Sequence, residues 1–339
     1  MAAAVPGEPI SVREFARPFD PAGVSKMMTT VGLDMLHRAP PGQTAGDLCE
    51  RAAEHLLDRL GWERESVEGL VFVTQTPDHF LPATACILHG RLGLPVSAFA
   101  FDVGMGCSGY VYGLWLASQF AANGSARRVL LLAGDTISHL LSPGDQSVAM
   151  LFGDAGSATA IEFDPDAPPM HFALGTDGSG ARDLMVPAGG FRSRVAADAF
   201  ERCGEPGAQR APADLYMDGL AVFNFTLKRI PELVNSVLES AEWPRESVDA
   251  YLFHQANAFI LDKIARKLKL PPERVPSNIG RFGNTSVASI PLLLCDRLAL
   301  ELTRPEPRRV VAAGFGVGLS WAGAAMTVSA LGCADIVGA

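Results

Sequence analysis

The stretch W-E-R-E-S-V-E at residues 62–68 recurs as W-P-R-E-S-V-D at residues 243–249, and each copy leads into a short apolar run. Further along, R-R-V-L-L at residues 127–131 matches R-R-V-V-A at residues 308–312, again 181 residues later. Between them, L-G-L-P at residues 92–95 resembles L-K-L-P at residues 268–271, with an offset of 176. Three matches in the same order favour duplication over chance similarity, so we expect two related units.

Each half has the same expected order of elements: helix, buried strand, helix, turn, strand, Gly-rich helix start, helix and buried strand. This alternation is typical of a layered α/β fold. Pro165, Pro168 and Pro169 interrupt the pattern, and prolines are typical of a boundary. We therefore expect an N-terminal half at residues 1–165 and a C-terminal half at residues 166–339. Residues 192–214 are polar with several Gly and Pro, so we expect an insertion loop there.

Composition and charge exclude several classes of protein. The 339 residues are 48% hydrophobic and 19% charged, as is typical of a globular enzyme. A net charge of −9 argues against nucleic-acid binding, which needs clustered basic residues. The six cysteines form no C-x-x-C pair and have no histidines at metal-ligand spacing, so neither zinc nor a disulfide framework is expected.

The sequence predicts a cytoplasmic protein. Its apolar runs are of strand length, far short of the ~20 residues of a membrane-spanning helix. The first residues have no basic segment followed by an apolar one, so no signal peptide is expected. Residues 2–6 resemble the end of a first strand whose beginning is missing, which leaves an upstream start codon as an alternative.

Cys107 is the strongest candidate for a nucleophile. It lies in D-V-G-M-G-C-S-G-Y at residues 102–110, before an apolar stretch suited to a buried helix. We therefore expect Cys107 at a strand-to-helix turn, where nearby glycines allow a tight backbone and the helix N-terminus lowers the pKa of the thiol. The alternative is a small buried hydrophobic residue, which we expect of the other five cysteines.

His254 and Asn284 are the other candidates in the second half. His254 follows the apolar run at residues 251–253 and opens H-Q-A-N at residues 254–257. A catalytic role and a structural role as the cap of the next helix stay open for it. Asn284 lies in a Gly-rich turn before an expected helix at residues 290–302, where a helix N-cap is the alternative.

The Gly-rich segment G-F-G-V-G-L-S-W at residues 314–321 follows another buried strand. Its backbone N–H groups could point at an anion. A phosphate loop is disfavoured, because no Lys-Ser or Lys-Thr follows and the spacing does not fit a dinucleotide fingerprint.

Together these segments resemble the β-ketoacyl-ACP synthase III family, a condensing branch of the thiolase superfamily, from about residue 5 to residue 327. The resemblance rests on H-Q-A-N (254–257), G-N-T-S (283–286), the ending at 314–321, F-G-D-A-G-S (152–157) and G-T-D-G (175–178). It implies a thiolase-like five-layered αβαβα fold built from two pseudo-symmetric halves. It also implies a homodimer in fatty acid biosynthesis that needs no metal and no permanently bound cofactor.

By this resemblance, Cys107 accepts an acyl group from acyl-CoA or acyl-ACP, and the acyl-enzyme is attacked by a carbanion. His254, through a neutral Nε2–H, and Asn284 would stabilise the enolate formed from malonyl-ACP as carbon dioxide leaves. The oxyanion hole of acyl transfer would be the backbone N–H groups of Cys107 and Val317.

Several positions depart from the family pattern. Lys26 and Thr30 stand where a tryptophan and an arginine would contact coenzyme A, and Gln146 replaces another arginine. A donor bound to ACP, or an unusual CoA donor, is therefore favoured over acetyl-CoA, and the G-M-G-C-S-G spelling suggests a specialised lipid or secondary-metabolite pathway. Phe259 stands where an arginine usually contacts ACP.

Docking of the acidic carrier would then fall to a basic helix face at i, i+3 and i+4, or that face is simply solvated. The docking candidates are Lys263, Arg266 and Lys267.

Two alternatives to condensation remain. An acyltransferase of the same fold would move the acyl group from Cys107 to a hydroxyl or amine, with His254 as general base. A partner subunit that shapes another synthase would need no chemistry. Asn284 favours condensation over the first, and the complete Cys-His-Asn set argues against the second.

Overall fold

The computed structural model describes residues 1–17 and 19–339. The strands are β1 (Ala2–Val5), β2 (Ile10–Ser11), β3 (Met35–Leu36), β4 (Gly69–Val73), β5 (Phe99–Val103), β6 (Arg128–Asp135), β7 (Ala155–Glu162), β8 (His171–Thr176), β9 (Leu184–Met185), β10 (Tyr216–Met217), β11 (Ala250–Phe253), β12 (Arg308–Gly316), β13 (Ser320–Val328) and β14 (Asp335–Gly338). The helices are α1 (Val12–Phe15), α2 (Pro21–Val31), α3 (Ala45–Leu60), α4 (Thr84–Arg91), α5 (Gly109–Ala122), α6 (Gln146–Ala149), α7 (Gly219–Ser240), α8 (Ala258–Leu268), α9 (Ile279–Phe282), α10 (Ser289–Arg297) and α11 (Ala299–Leu302).

Two central sheets repeat one pairing pattern. The first has the strand order β14-β1-β7-β6-β4-β5 and the second β11-β12-β13-β8. In the first sheet β4 pairs in parallel with β6, with Gly69 opposite Val129. In the second, β11 pairs in parallel with β12, with Ala250 opposite Val310. Ala250 and Val310 each lie 181 residues after Gly69 and Val129, the offset seen in the sequence. The pairing register of the strands is therefore duplicated as well.

The side chains of the central strands alternate between two cores, as the two-residue period of a strand requires. Val71 and Val73 point into a core that also holds the buried faces of α5 and α10 and inward residues of the second sheet. Leu70 and Phe72 point the other way, against α3 and α4. In the second sheet, the outward residues of β11 and β12 pack against α7 and α8. The layers therefore run helix, sheet, helix, sheet, helix, which confirms the predicted five-layered αβαβα fold.

The two halves differ at one strand. The sequence predicts a counterpart of β5 in the second half, but residues 275–278 form no strand. Pro271, Pro272 and Pro276 lie in this stretch, and proline cannot donate a ladder hydrogen bond. This expectation was wrong, and β11 is left as the edge of its sheet. The predicted helix at residues 290–302 is also divided, between α10 and α11.

The chain termini and the insertion depart from a simple division into halves. The last strand, β14, returns to pair with β1 in the first sheet, so the boundary at residue 165 stays a prediction. Residues 192–214 carry a short 3-10 turn at Ala197–Phe200 and isolated β-bridges, and no longer element. Ion pairs join Arg202 to Asp214 at 2.9 Å and Arg210 to Asp145 at 3.4 Å. Within residues 1–17 and 19–339, no helix is long and apolar enough to cross a membrane.

Candidate active site

Cys107 lies between β5 and α5, at the predicted strand-to-helix turn. None of the neighbouring Gly104, Gly106 and Gly109 has a positive φ. Gly106 and Gly109 allow close packing, whereas a Cβ on Gly104 would meet no heavy atom within 4 Å. A Cβ on Gly106 would lie 2.8 Å from Val317 Cγ1. The end of β12 packs as tightly from the other side, since a Cβ on Gly316 would lie 2.9 Å from the sulfur of Cys107.

Burial dominates the electrostatics of Cys107. It raises the pKa of the thiol to about 11, opposed by the Ser286 hydroxyl and the backbone N–H groups of Val317 and Cys107 and reinforced by the negative charge of Asp135. The Ser286 Oγ lies 3.9 Å from Cys107 Sγ. The sequence pointed to a lowered pKa at the helix N-terminus, and desolvation outweighs that effect in the resting structure. The thiol is therefore protonated near neutral pH.

His254 follows β11 directly and faces the same cavity as Cys107. Burial lowers its pKa to about 3, slightly offset by a contact with the backbone of Ser286. Nδ1 lies 2.7 Å from the Ser289 hydroxyl at the start of α10, and the ring packs edge-on against Phe315 at 5.4 Å. The imidazole is therefore neutral and held from two sides. It does not cap α8, because Asn257 does so through a bond from the Ile260 N–H.

Asn284 is fixed through its backbone and through one side of its amide. Its N–H donates to the Leu151 carbonyl, and its carbonyl accepts from the Gly153 N–H. The side-chain Oδ1 accepts the Ser286 N–H at 2.9 Å, so the amide nitrogen is left to donate elsewhere. The alternative role as N-cap of α10 is wrong, since Ala288 occupies that position.

Two cavities meet at Cys107. The first, about 70 Å³, is lined by Cys107, His254 and Asn284 together. The second, about 220 Å³, shares Cys107 with the first and is lined mainly by apolar side chains. Those side chains include Ile137, Leu140, Val186 and Leu215. Both cavities have largely apolar walls, but His254 and Asn284 line only the first and Ser286 lines only the second.

The backbone around Val317 forms the turn between β12 and β13. Ser320 Oγ donates to the Val317 carbonyl at 2.7 Å, and it lies 2.7 Å from Ser108 Oγ beside Cys107. This pair of hydroxyls ties the turn to the start of α5. The backbone N–H groups of Val317 and Cys107 lower the pKa of the thiol against the larger effect of burial.

Residues that sequence reasoning did not single out complete the site. Ser286 and Ser289 position the sulfur and the imidazole, and Asp135 lies buried beside them at the end of β6. Phe315 supports the imidazole. Ser286 belongs to the G-N-T-S segment, and a charged residue ending a buried strand was a signal for Asp135. Their roles depend on contacts between distant parts of the chain.

The docking candidates on α8 have different surroundings. The Lys263 ammonium lies 5.1 Å from the ring centroid of Phe259. Arg266 pairs with Asp262 at 2.8 Å, and Lys267 donates to the Leu227 carbonyl at 2.7 Å. Lys263 is thus the candidate with the fewest competing polar contacts. Of the departures from the family pattern, Lys26 and Thr30 are exposed on α2, while Gln146 N–H donates to Gly207 of the insertion.

One group of possible metal ligands lies away from these cavities, on α3 and near β14. His55, Cys333 and Asp335 have ligand atoms within 4.8 Å of one another. Asp335 Oδ2 is also bonded to His55 at 2.8 Å and to Arg59 at 3.2 Å. The Arg59 guanidinium would compete with a cation for the same oxygen, so the group is best described as an ion-pair network.

Two segments of the chain match models of one protein family. Residues 101–178 match the family described as 3-oxoacyl-[acyl-carrier-protein] synthase III, and residues 238–328 match its C-terminal part. A curated relative from Campylobacter jejuni, named putative 3-oxoacyl-[acyl-carrier-protein] synthase 3, is 36% identical over 89% of this chain and 84% of its own. The β-ketoacyl-[acyl-carrier-protein] synthase III of Rhodopirellula baltica is 36% identical over 86% of each chain.

A solved structure agrees over the whole fold. The 3-oxoacyl-(acyl-carrier protein) synthase from Burkholderia xenovorans LB400 superposes with a TM-score of 0.94 at 44% identity. The match covers 100% of this chain and 95% of that one. The arrangement of two sheets and three helical layers is therefore shared in full.

Proposed function

The chain belongs to the 3-oxoacyl-[acyl-carrier-protein] synthase III family, and from that premise we propose that it condenses an acyl thioester with malonyl-ACP through Cys107, His254 and Asn284. The observation that supports this assignment is that all three side chains line one cavity. Two neutral hydrogen-bond donors facing a buried thiol are suited to acyl transfer followed by stabilisation of an enolate.

In the loading step, the sulfur of Cys107 attacks the carbonyl carbon of the donor thioester. A new carbon–sulfur bond forms, and the bond to the carrier sulfur breaks. The negative charge that develops on the carbonyl oxygen is stabilised by the N–H groups of Cys107 and Val317, which also lower the pKa of the resting thiol. Preorganised donors of this kind are each worth about 10²- to 10³-fold in rate.

In the condensation step, malonyl-ACP loses carbon dioxide and its enolate attacks the acyl group on Cys107. The enolate oxygen accepts hydrogen bonds from His254 Nε2 and Asn284 Nδ2. The Ser289 hydroxyl, 2.7 Å from Nδ1, leaves the imidazole proton on Nε2 when it donates. A histidine whose pKa is lowered to about 3 stays neutral throughout, so it acts as a donor of hydrogen bonds and not as an acid.

The two cavities suggest how the substrates divide around the cysteine. The apolar cavity of about 220 Å³ is suited to the acyl chain, and the smaller cavity beside His254 to the end of a pantetheine arm. The donor is acyl-ACP or acyl-CoA. The exposed Lys26 and Thr30 offer no aromatic stacking for an adenine ring, which favours a donor carried by ACP.

Carrier docking is assigned to the basic face of α8. Lys263 lies against Phe259, which is 41% exposed and stacks on Phe223 at 5.5 Å. An aromatic surface with a cation over it is suited to a partner with both acidic and apolar side chains.

A homodimer is supported by the free edge of the first sheet. The edge strand β5, F-A-F-D-V, is apolar except for Asp102, and all five residues are half-buried. Such an edge in an isolated chain would promote aggregation, and a second copy is the simplest cover for it. Gel filtration coupled to light scattering tests the oligomeric state. A dimer is expected, and a monomer would contradict this proposal.

A cytoplasmic location and a place in fatty acid biosynthesis accord with this function.

The proposed function is tested by intact-protein mass spectrometry with acyl-CoA and acyl-ACP donors, followed by malonyl-ACP. Wild type should form an acyl adduct that malonyl-ACP discharges into a β-ketoacyl product. Cys107→Ala should form none, while Cys86→Ala, which removes an exposed thiol, should behave as wild type. Discharge by an alcohol or amine alone would establish the acyltransferase alternative. Absence of an adduct with every donor would reject catalysis at Cys107.

A further inference from the structure

We propose that Ser286 and Asp135 form the route by which the Cys107 thiol loses and regains its proton. The inference rests on the proposed function, because it concerns the same cysteine, and it adds two residues to that chemistry. Ser286 contacts the reacting sulfur, whereas Asp135 acts through Ser286.

Asp135 is a buried carboxyl group with one oxygen fully engaged and the other free. Its side chain is at the end of β6, and the residue is 0% exposed. Oδ1 accepts hydrogen bonds from the Gln75 N–H at 2.7 Å, Thr74 Oγ1 at 3.0 Å and Thr76 Oγ1 at 3.2 Å. Oδ2 is buried and has no hydrogen-bond partner among the described residues. An unpaired buried oxygen is costly unless something exploits it.

The Ser286 hydroxyl is close to the sulfur, and the turn that carries it, residues 286–288, packs against β6, which ends at Asp135. The hydroxyl is 3.9 Å from Cys107 Sγ, and it lowers the pKa of Asp135 against a larger rise caused by burial. Ser286 is 1% exposed and has a φ of +49°, a left-handed conformation that is unfavourable for serine. The bond from its N–H to Asn284 Oδ1 at 2.9 Å helps to hold it there.

His254 is poorly suited to take the proton. Its Nδ1 is bonded to Ser289, and burial lowers its pKa to about 3. The described structure has no hydrogen bond from its ring to Cys107. Burial raises the pKa of Asp135, which makes this carboxylate a better base than an exposed aspartate. Cys49 is another titratable group that interacts with Asp135, and burial raises its pKa to about 12.

The proton balance of the reaction is complete with this route. As the sulfur attacks the donor, the S–H proton passes to Ser286 Oγ while the hydroxyl proton of Ser286 passes to Asp135 Oδ2. The departing carrier thiolate takes a proton from solvent. In the condensation step the carbon–sulfur bond to Cys107 breaks, and the released thiolate recovers the proton from Asp135 through Ser286.

The test measures alkylation of Cys107 by iodoacetamide from pH 6 to pH 9. A background in which the exposed Cys86 and Cys203 are replaced by serine leaves the reaction to Cys107. Asp135→Asn retains the shape of the side chain, and Ser286→Ala removes only the hydroxyl. Thr74→Val is the matched control, because it deletes a buried hydrogen bond to Oδ1 without touching the side of Oδ2.

We expect Asp135→Asn and Ser286→Ala to be alkylated at least tenfold more slowly near pH 7.5. A general base usually contributes about 10²-fold or more, so a tenfold loss is a conservative threshold. The alkylation rate of Thr74→Val should stay within about twofold of the background rate, because this control keeps the general base in place. A merely structural Asp135 predicts the opposite sign, because removing a negative charge near Cys107 would lower the pKa of the thiol and speed alkylation.

Alkylation of Asp135→Asn at the background rate or faster would overturn the proposal, as would an unchanged rate in Ser286→Ala. If Asp135→Asn does not fold by circular dichroism, Ser286→Ala decides the question alone. A negative result in the alkylation assay does not affect the proposed function, provided that the wild type still forms the β-ketoacyl product.

Discussion

Substitution of Gly316 by alanine perturbs the nucleophile through packing alone. The added Cβ would lie 2.7 Å from Cys107 Cβ and 2.9 Å from Sγ, where ordinary contacts begin at 3.4 Å. Neither β12 nor the start of α5 is free to move far, because Gly314 packs on the backbone of Cys107 and Ser108 in the same way. The substitution must therefore displace the sulfur or the strand.

The size of the effect follows from these distances. Restoring normal contact requires a separation of about 0.5 Å at the sulfur and 0.7 Å at Cβ, from the shortfalls against 3.4 Å. Misplacing a reacting group by about 1 Å costs on the order of 10²-fold in rate. We therefore expect acyl loading to slow by about tenfold to a hundredfold, and overpacking to lower the free energy of unfolding by about 1–3 kcal/mol.

The assay follows formation of the Cys107 adduct by mass spectrometry after rapid mixing with an acyl donor, alongside urea unfolding. Gly104→Ala is the matched control. It lies three residues before Cys107, has no positive φ, and its Cβ would meet no heavy atom within 4 Å. This control should load acyl groups at the wild-type rate.

Wild-type loading by Gly316→Ala would refute the argument that close packing of β12 positions the sulfur. Equal slowing by Gly104→Ala would refute it in another way, because the effect would then come from the loop and not from contact with Cys107. A loss of stability without a loss of rate would show that the strand moves and the sulfur does not.

Three further outcomes are expected. Asn284→Asp retains an oxygen for the Ser286 N–H but loses the donor, so decarboxylation should fall by about 10²- to 10³-fold while adduct formation persists; loss of both together would contradict this. The folded pKa of His254 is about 3 against an unfolded value of 6.5, so the unfolded chain binds the extra proton between these values and stability falls as the pH drops from 6.5 toward 3. In urea unfolding at pH 6 and pH 5, wild type should lose up to about 1.4 kcal/mol per pH unit more than His254→Gln, and equal losses would count against a neutral buried imidazole. Lys263→Glu should raise KM for malonyl-ACP several-fold with kcat unchanged, and the rise should be smaller at high salt. Arg304→Glu, at an exposed position, is the control and should leave KM unchanged. Equal effects of the two substitutions would point to net charge alone.

Much of the fold was predictable because it rests on local patterns. The repeated segments at residues 62–68 and 243–249 each precede a buried strand, and the strand register repeats with them. The strand-to-helix turn at Cys107 and the strand end at His254 followed from apolar runs next to polar or Gly-rich residues. The absence of a strand corresponding to β5 in the second half was not predicted, although the three prolines in that stretch were visible in the sequence.

The candidate site was predictable as a set of residues but not as an arrangement. Cys107, His254 and Asn284 each stood in a recognisable segment. Ser289 and Phe315 hold the imidazole through contacts between distant segments of the second half, and Ser286 meets the sulfur of Cys107 across the two halves. The direction of the pKa shift of Cys107 was also missed, because a helix N-terminus is visible in sequence and the depth of burial is not.

By itself, then, the sequence determined the duplication and a layered α/β fold, and the resemblance to the synthase III family added the order of the layers and the roles of the three candidate residues. Periodicity and turn residues act over a few positions, so they can be read along the chain. Only the tertiary structure decided that Asp135 and Ser286 lie beside Cys107, and that the thiol and imidazole are both uncharged at rest. Proton affinities depend on desolvation and on charges a few ångströms away, and those distances exist only once remote segments have packed together.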